Sequence, residues 1–144
     1  LGYIISQEGV GMDLTKIQAV LSWPLPHSVR GVRGFFGLTS YYRKFILDYG
    51  KIAQPLTSLT KNDGFSWTTA AQLAFDTLKI ALSTTPVLAI PDFSRPFEVE
   101  CDASGRGIGA VLMQNHRPIA YFSKALAATN LSKSTYEKEM MALV

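Results

Sequence analysis

The spacing of apolar residues divides the 144-residue chain into a helical first part and a strand-rich second part. Leu1–Ser6 reads as a strand that turns at Gln7-Glu8-Gly9. Asp13 is a good N-cap for a helix with Leu14, Ile17 and Leu21 on one face, ended by Trp23 because Pro24 and Pro26 follow. Ser28 caps a second, longer helix running to about Ile46, with Phe35, Leu38, Tyr42 and Phe45 as its core face. Asp48 and Tyr49 lead into a third helix that buries Ile52, Leu56 and Leu59. Pro55 within it suits a first turn or a kink.

Lys61-Asn62-Asp63-Gly64 is a turn cluster and the first candidate boundary. Thr68 or Thr69 then caps a fourth helix with Ala71, Phe75, Leu78 and Leu82 in helical register. Thr84–Pro96 contains Pro86, Pro91 and Pro96 and leads to strand-like segments at Phe97–Asp102, Gly107–Gln114 and Pro118–Ser123. Ser104-Gly105 and Asn115-His116 supply the turns, and a last helix begins near Ser134. The pattern predicts an α+β chain: a helical module followed by the opening of an α/β domain.

Composition narrows the class. Apolar residues at 47% and charged residues at 17% exclude a disordered or low-complexity chain. The longest run without Asp, Glu, Lys or Arg, Ile17–Val29, is broken by two prolines and spans no membrane. The first residues have neither the basic start nor the apolar core of a signal peptide. The single cysteine, Cys101, excludes an internal disulfide or a cysteine zinc cage and reads as a small buried residue. His27 and His116 lack ligand company, and Trp23 and Trp67 read as packing anchors. The chain starts at Leu1 rather than Met and stops at Val144 inside a helix-like run, so it reads as cut at both ends.

Charge is distributed unevenly. Residues 28–61 hold Arg30, Arg33, Arg43, Lys44, Lys51 and Lys61 against Asp48 alone, a net of +5. Residues 92–102 hold Asp92, Glu98, Glu100 and Asp102 against Arg95, a net of −3. Within the basic block Arg33, Gly37 and Tyr41 recur at four-residue spacing, with Arg30 and Lys44 on the same side. Gly31, Gly34 and Gly37 each cost a helix about 1 kcal/mol relative to alanine. Either neighbouring helices pack closely at these glycines, or a nucleic-acid backbone approaches there, with Arg on phosphate and Tyr on sugar. In the acidic block Phe97, Val99 and Cys101 alternate with Glu98, Glu100 and Asp102. Asp102 at the strand end and Glu139 at the edge of the last helix's packed face are hard oxygen ligands suited to magnesium. The same residues also read as a turn residue and a solvated glutamate.

Residues 12–46, MDLTKIQAVLSWPLPHSVRGVRGFFGLTSYYRKFI, closely resemble the segment after the polymerase palm in gypsy-type LTR retrotransposon polyproteins. Residues 86–124, PVLAIPDFSRPFEVECDASGRGIGAVLMQNHRPIAYFSK, and 134–144, STYEKEMMALV, resemble the start of the same family's ribonuclease H domain. The resemblance implies a primer-holding hairpin in residues 1–12, a thumb in 13–61, a connection in 62–96 and truncated ribonuclease H in 97–144. It implies that Arg33, Gly37 and Tyr41 track the groove of a template–primer duplex, whether RNA–DNA hybrid or DNA. Asp102 and Glu139 match the first metal-binding Asp and the Glu of a two-Mg²⁺ site that cleaves RNA in RNA–DNA hybrids, whereas Glu137 does not match. The rest of the polyprotein would be the partner, and the location would be intracellular, in a cytoplasmic virus-like particle or the nucleus. The remaining carboxylates of either active site would lie outside the chain, leaving the fragment inactive alone. Gly31 and the weakly acidic fourth helix depart from the family pattern. A decayed remnant that only binds nucleic acid or a partner is the alternative, and a free-standing helical nucleic-acid-binding domain leaves residues 97–123 unexplained.

Overall fold

The computed structural model describes residues 2–61, 64–103 and 107–125, so the expected Ser104-Gly105 turn and last helix lie outside the described residues. The chain opens with an antiparallel hairpin, β1 (Tyr3–Ser6) and β2 (Gly9–Met12). The second strand goes beyond the strand-and-turn expectation. Gly9 and Gly11 weaken its strand signal, but tertiary pairing supplies what propensity lacks. Val10 and Leu88 exchange two backbone hydrogen bonds of 2.8 Å. Gly9, at φ +138°, lies so close to the Leu88 carbonyl that no Cβ could be accommodated.

Helix α1 (Leu14–Leu21) begins as expected, with Asp13 Oδ1 accepting the Thr15 N–H at 3.0 Å. That bond holds the Asp13 carboxyl below the usual carboxylate range. The expected face is corrected: Leu14 and Leu21 are 70% and 47% exposed, while Val20 is buried and Ile17 partly so. Two turns of helix offer overlapping apolar sets, and packing against α4 (Thr69–Ser83) selects the Val20 side. Lys79 of α4 closes this contact by donating to the Leu21 and Trp23 carbonyls at 3.2 and 2.8 Å.

Ser28 caps α2 (Val29–Thr39) by accepting the Gly31 N–H at 3.1 Å. The single helix expected to reach Ile46 instead tightens into a 3₁₀ segment at Ser40–Phe45. Residues three apart eclipse in that geometry. Tyr42 and Phe45 therefore share the buried side, and Tyr41 and Lys44 share another. Helix α3 (Tyr49–Leu59) follows Asp48, which adopts a left-handed conformation at φ 60°. Pro55 lies inside α3 rather than in its first turn, leaving one carbonyl without its usual N–H partner. The Tyr49 and Thr39 hydroxyls are hydrogen-bonded at 2.8 Å, and burial raises the Tyr49 phenol above its ordinary pKa. Thr68 caps α4, whose Ala71, Phe75, Leu78 and Leu82 are buried as their spacing predicts. Trp67 and Trp23 anchor the aromatic core, Trp67 against Phe75 and Trp23 against Phe35.

Strands β3 (Glu98–Ala103), β4 (Gly107–Gln114) and β5 (Arg117–Ala125) form an antiparallel sheet in that order. Asn115 and His116 turn between the last two with φ of 52° and 60°, matching the twist of a tight hairpin. Gln114, buried below this turn, accepts the Asp92 N–H at 2.8 Å and donates to the Asp92 carbonyl at 2.7 Å. The expected burial of Cys101 is corrected, and the residues that share its face are open to solvent. Val99 is 57% exposed, Phe97 is also exposed and Cys101 is half-buried. β3 is the edge away from the helices, which pack on β5 through α3 and the 3₁₀ segment.

The helix–sheet seam centres on Ser123, 2% exposed. Its Oγ accepts the Gly50 N–H at 2.7 Å, and its carbonyl accepts Arg43 Nη2 at 2.6 Å. A Cβ on Gly50 would stand 3.0 Å from the Ala125 nitrogen, so glycine permits this approach. Replacing Ser123 by alanine leaves the Gly50 donor unpaired. The expected cost is about 1–3 kcal/mol, measured by urea unfolding, with faster hydrogen exchange at the Gly50 amide than at neighbouring α3 amides.

Candidate functional site

Two features carry chemistry: a helical face built on α2 and a carboxylate-lined cavity on the sheet. On the first, Arg30, Arg33, Gly37 and Tyr41 are all exposed, as their four-residue register predicts. The three α2 glycines have different surroundings. A Cβ on Gly31 would touch Pro26 at 3.4 Å, and one on Gly34 would lie 3.9 Å from Trp23. A Cβ on Gly37 would meet nothing within 4 Å among the described residues. Intramolecular packing therefore gives no reason for glycine at residue 37, whereas Gly31 and Gly34 lie against the chain's own residues.

Tyr3 ties this face to the hairpin. Its ring stacks nearly parallel on Tyr41, with centroids 5.3 Å apart, and its hydroxyl donates to the Tyr41 carbonyl at 3.2 Å. Lys44 is half-buried and places Nζ 4.4 Å from the Tyr3 ring centroid, within cation–π range. The 3₁₀ turn causes this convergence because it aligns Tyr41 with Lys44. Burial raises the Tyr3 and Tyr42 phenols above their ordinary pKa. Beside this cluster, Gly2, Lys16, Gly37, Leu38, Tyr41 and Tyr42 line a cavity of about 300 Å³. Lys16 was not among the sequence candidates because it stands on α1, outside the α2 periodicity.

On the sheet, Asp102 is exposed on β3 and lines a cavity of about 220 Å³ with Glu100, Asp48, Leu47 and Gly109. Asp102 pairs in register with Gly109, which pairs with Ser123. Asp48 Oδ1 stands 3.0 Å from the position a Cβ on Gly109 would take, and its carboxylate pairs with Lys51 at 3.6 Å. Asp48 was not a candidate because its approach to Asp102 depends on the seam. The all-oxygen donors Asp102, Glu100 and Asp48 suit a hard cation such as Mg²⁺ in chemistry. No group of three or more metal-ligating side chains among the described residues can hold an ion. Glu139 lies outside the described residues.

Residues 67–144 match the model of the RNase H-like domain found in reverse transcriptase. Across its whole length the chain is 41% identical to the retrovirus-related Pol polyprotein from transposon opus of Drosophila melanogaster. It is 38% identical, again over all of its length, to the Pol polyprotein from transposon gypsy of the same organism. The chain spans 16% and 15% of those two relatives. Over 66% of its length it is 52% identical to an uncharacterized mitochondrial protein of Arabidopsis thaliana, covering 60% of that protein. In fold it matches a foamy viral protease-reverse transcriptase in complex with RNA/DNA hybrid, with a TM-score of 0.91 and 24% identity. That likeness covers 99% of this chain and 20% of the viral one.

The open environment of Gly37 has a measurable consequence. Gly37→Ala removes the backbone entropy cost of a helical glycine without a clash. It should raise stability by about 0.5–1 kcal/mol, read as a higher urea midpoint at unchanged slope.

Proposed function

Because the chain belongs to the family of RNase H-like domains found in reverse transcriptase, as part of a retrotransposon Pol polyprotein, we propose that it holds a template–primer duplex beside a nuclease strand. The observation that carries this reading is Gly37, open to solvent between exposed Arg33 and Tyr41. A duplex backbone can come against the helix there, with Arg30 and Arg33 on phosphates or a groove edge and Tyr41 on a sugar. Residues 13–61 act as the thumb, 62–96 as the connection and 97–144 as the opening of the nuclease, with residues 1–12 bringing Tyr3 against the thumb. The partners are an RNA–DNA hybrid and duplex DNA, as in the complexes of the foamy viral enzyme with RNA/DNA hybrid and dsDNA.

Asp102 and Glu139 are the proposed Mg²⁺ ligands. Bound Mg²⁺ supplies an activated water and charge stabilisation at the leaving oxygen. Asp102 presents its carboxylate from β3, beside Gly109, whose missing side chain makes room for the Asp48 carboxylate. The carboxylates needed to complete either active site belong to the larger polyprotein.

Two experiments test the reading. Binding of the 144-residue chain to an RNA–DNA hybrid should weaken linearly in log–log plots against salt. Arg33→Ala should reduce the slope by about one phosphate equivalent; no slope, or unchanged affinity in the variant, refutes the thumb assignment. In the complete polyprotein enzyme, Asp102→Asn should abolish hybrid-RNA cleavage and preserve DNA synthesis. Equal loss of both activities argues against the role given to Asp102, and loss of neither favours a duplex-binding module without catalysis.

A further inference from the structure

The cavity beside Gly37 has a second wall that the α2 stripe does not include. Its floor is Tyr42 and the hairpin residue Gly2, and Lys16 of α1 lies across from Gly37 and Tyr41. Gly2, at φ +86°, packs directly on the Tyr42 hydroxyl, and a Cβ there would lie 3.6 Å from Lys16 Cγ. The hairpin therefore stations the Lys16 stem at the groove. The acidic residue one turn back, Asp13, attracts Lys16 without forming an ion pair with it, and its Oδ1 accepts from both the backbone and the hydroxyl of Thr15 at 3.0 Å. Lys16 is exposed on a well-capped helix, outside any ion pair within 4.0 Å among the described residues, and lines the concave groove beside Gly37.

We infer that Lys16 is a phosphate-binding residue, and that the groove between α1 and α2 takes the sugar–phosphate backbone of one strand of the duplex. The inference rests on the duplex-holding reading and adds a wall to it. Arg33 and Tyr41 engage the strand from α2, and Lys16 closes over it from α1. A phosphate is the chemistry that this arrangement fits. An ammonium is a compact point charge on a flexible stem, which follows a phosphate oxygen without needing the fixed bidentate geometry of an arginine. A backbone contact of this kind is insensitive to base sequence and releases counterions.

The test uses the 144-residue chain with a synthetic RNA–DNA hybrid and a DNA duplex of the same sequence, titrated at several salt concentrations. Lys16→Ala should weaken binding to both. Its deficit should shrink roughly threefold between 50 and 200 mM salt, as loss of one phosphate contact requires. Lys16→Arg should restore the salt slope, and Gly37→Leu should weaken binding without lowering thermal stability because its side chain fills the groove. Wild-type affinity and slope in Lys16→Ala, with Arg33→Ala impaired, overturn the Lys16 inference and leave the duplex-holding reading standing. A Lys16→Ala loss confined to one of the two duplexes also overturns it, because a phosphate contact is common to both. Unchanged binding in both Lys16→Ala and Arg33→Ala removes the duplex-holding reading and this inference together.

Discussion

The hydrogen bonds at Ser123 hold the helices and the sheet in one frame. Its hydroxyl accepts the amide of Gly50 in the first turn of α3, and its carbonyl accepts the Arg43 guanidinium. Arg43 belongs to the 3₁₀ segment whose other residues face two further directions. Tyr42 and Phe45 enter the core, while Tyr41 and Lys44 converge on Tyr3 of the hairpin. Six consecutive residues therefore join the core, the sheet and the hairpin. Any change in the pitch of that segment would move all three contacts together.

This seam also sets the relation between the two chemical features. Ser123, Gly109 and Asp102 are register neighbours across β5, β4 and β3, so the pin and the carboxylate are two strand spacings apart, about 10 Å. Asp48, just before α3, reaches over Gly109 into the cavity that Asp102 lines. A second tie runs through Leu88 and Ala89. Leu88 pairs with β2, and the Ala89 N–H donates to the Pro118 carbonyl of β5 at 2.8 Å. Arg117 of β5 also donates to the Glu8 carbonyl of the hairpin turn at 2.7 Å, so hairpin, helices and sheet are tied to one another at several points. A duplex held on α2 would stand at a defined offset from β3.

The features legible in the sequence were those decided within a few residues. Asp13, Ser28 and Thr68 cap their helices, α4 buries its predicted stripe, and Asn115-His116 makes its turn. Features decided by distant partners were misjudged or missed. The buried side of α1 was chosen by α4, β2 depends on Leu88, and Cys101 is half-buried on an edge strand. The site follows the same division. Arg33, Gly37 and Tyr41 share one periodicity and were visible as a stripe. Lys16 and Asp48 were not, because each comes to its cavity from another element. Nor did the sequence distinguish the glycines, since Gly31 and Gly37 look alike until their surroundings are known.

The basic block shows why counting charge along a sequence misstates a binding surface. Of the six cations in residues 28–61, Arg43 is committed to the Ser123 carbonyl and the Tyr49 ring, and Lys51 pairs with Asp48. Both serve the seam. Lys44 is partly committed to Tyr3. Lys61 is exposed beyond the end of α3, Arg30 and Arg33 face solvent on the stripe, and Lys16, which lies outside the block, lines the groove with Gly37 and Tyr41. A polyanion responds to cations that can displace its counterions, and the Arg43 guanidinium, though exposed, is directed to β5 by its bond to the Ser123 carbonyl. On the proposed reading, the cations that can face a duplex are therefore fewer than the six of the block, and one that joins them, Lys16, stands on a different helix.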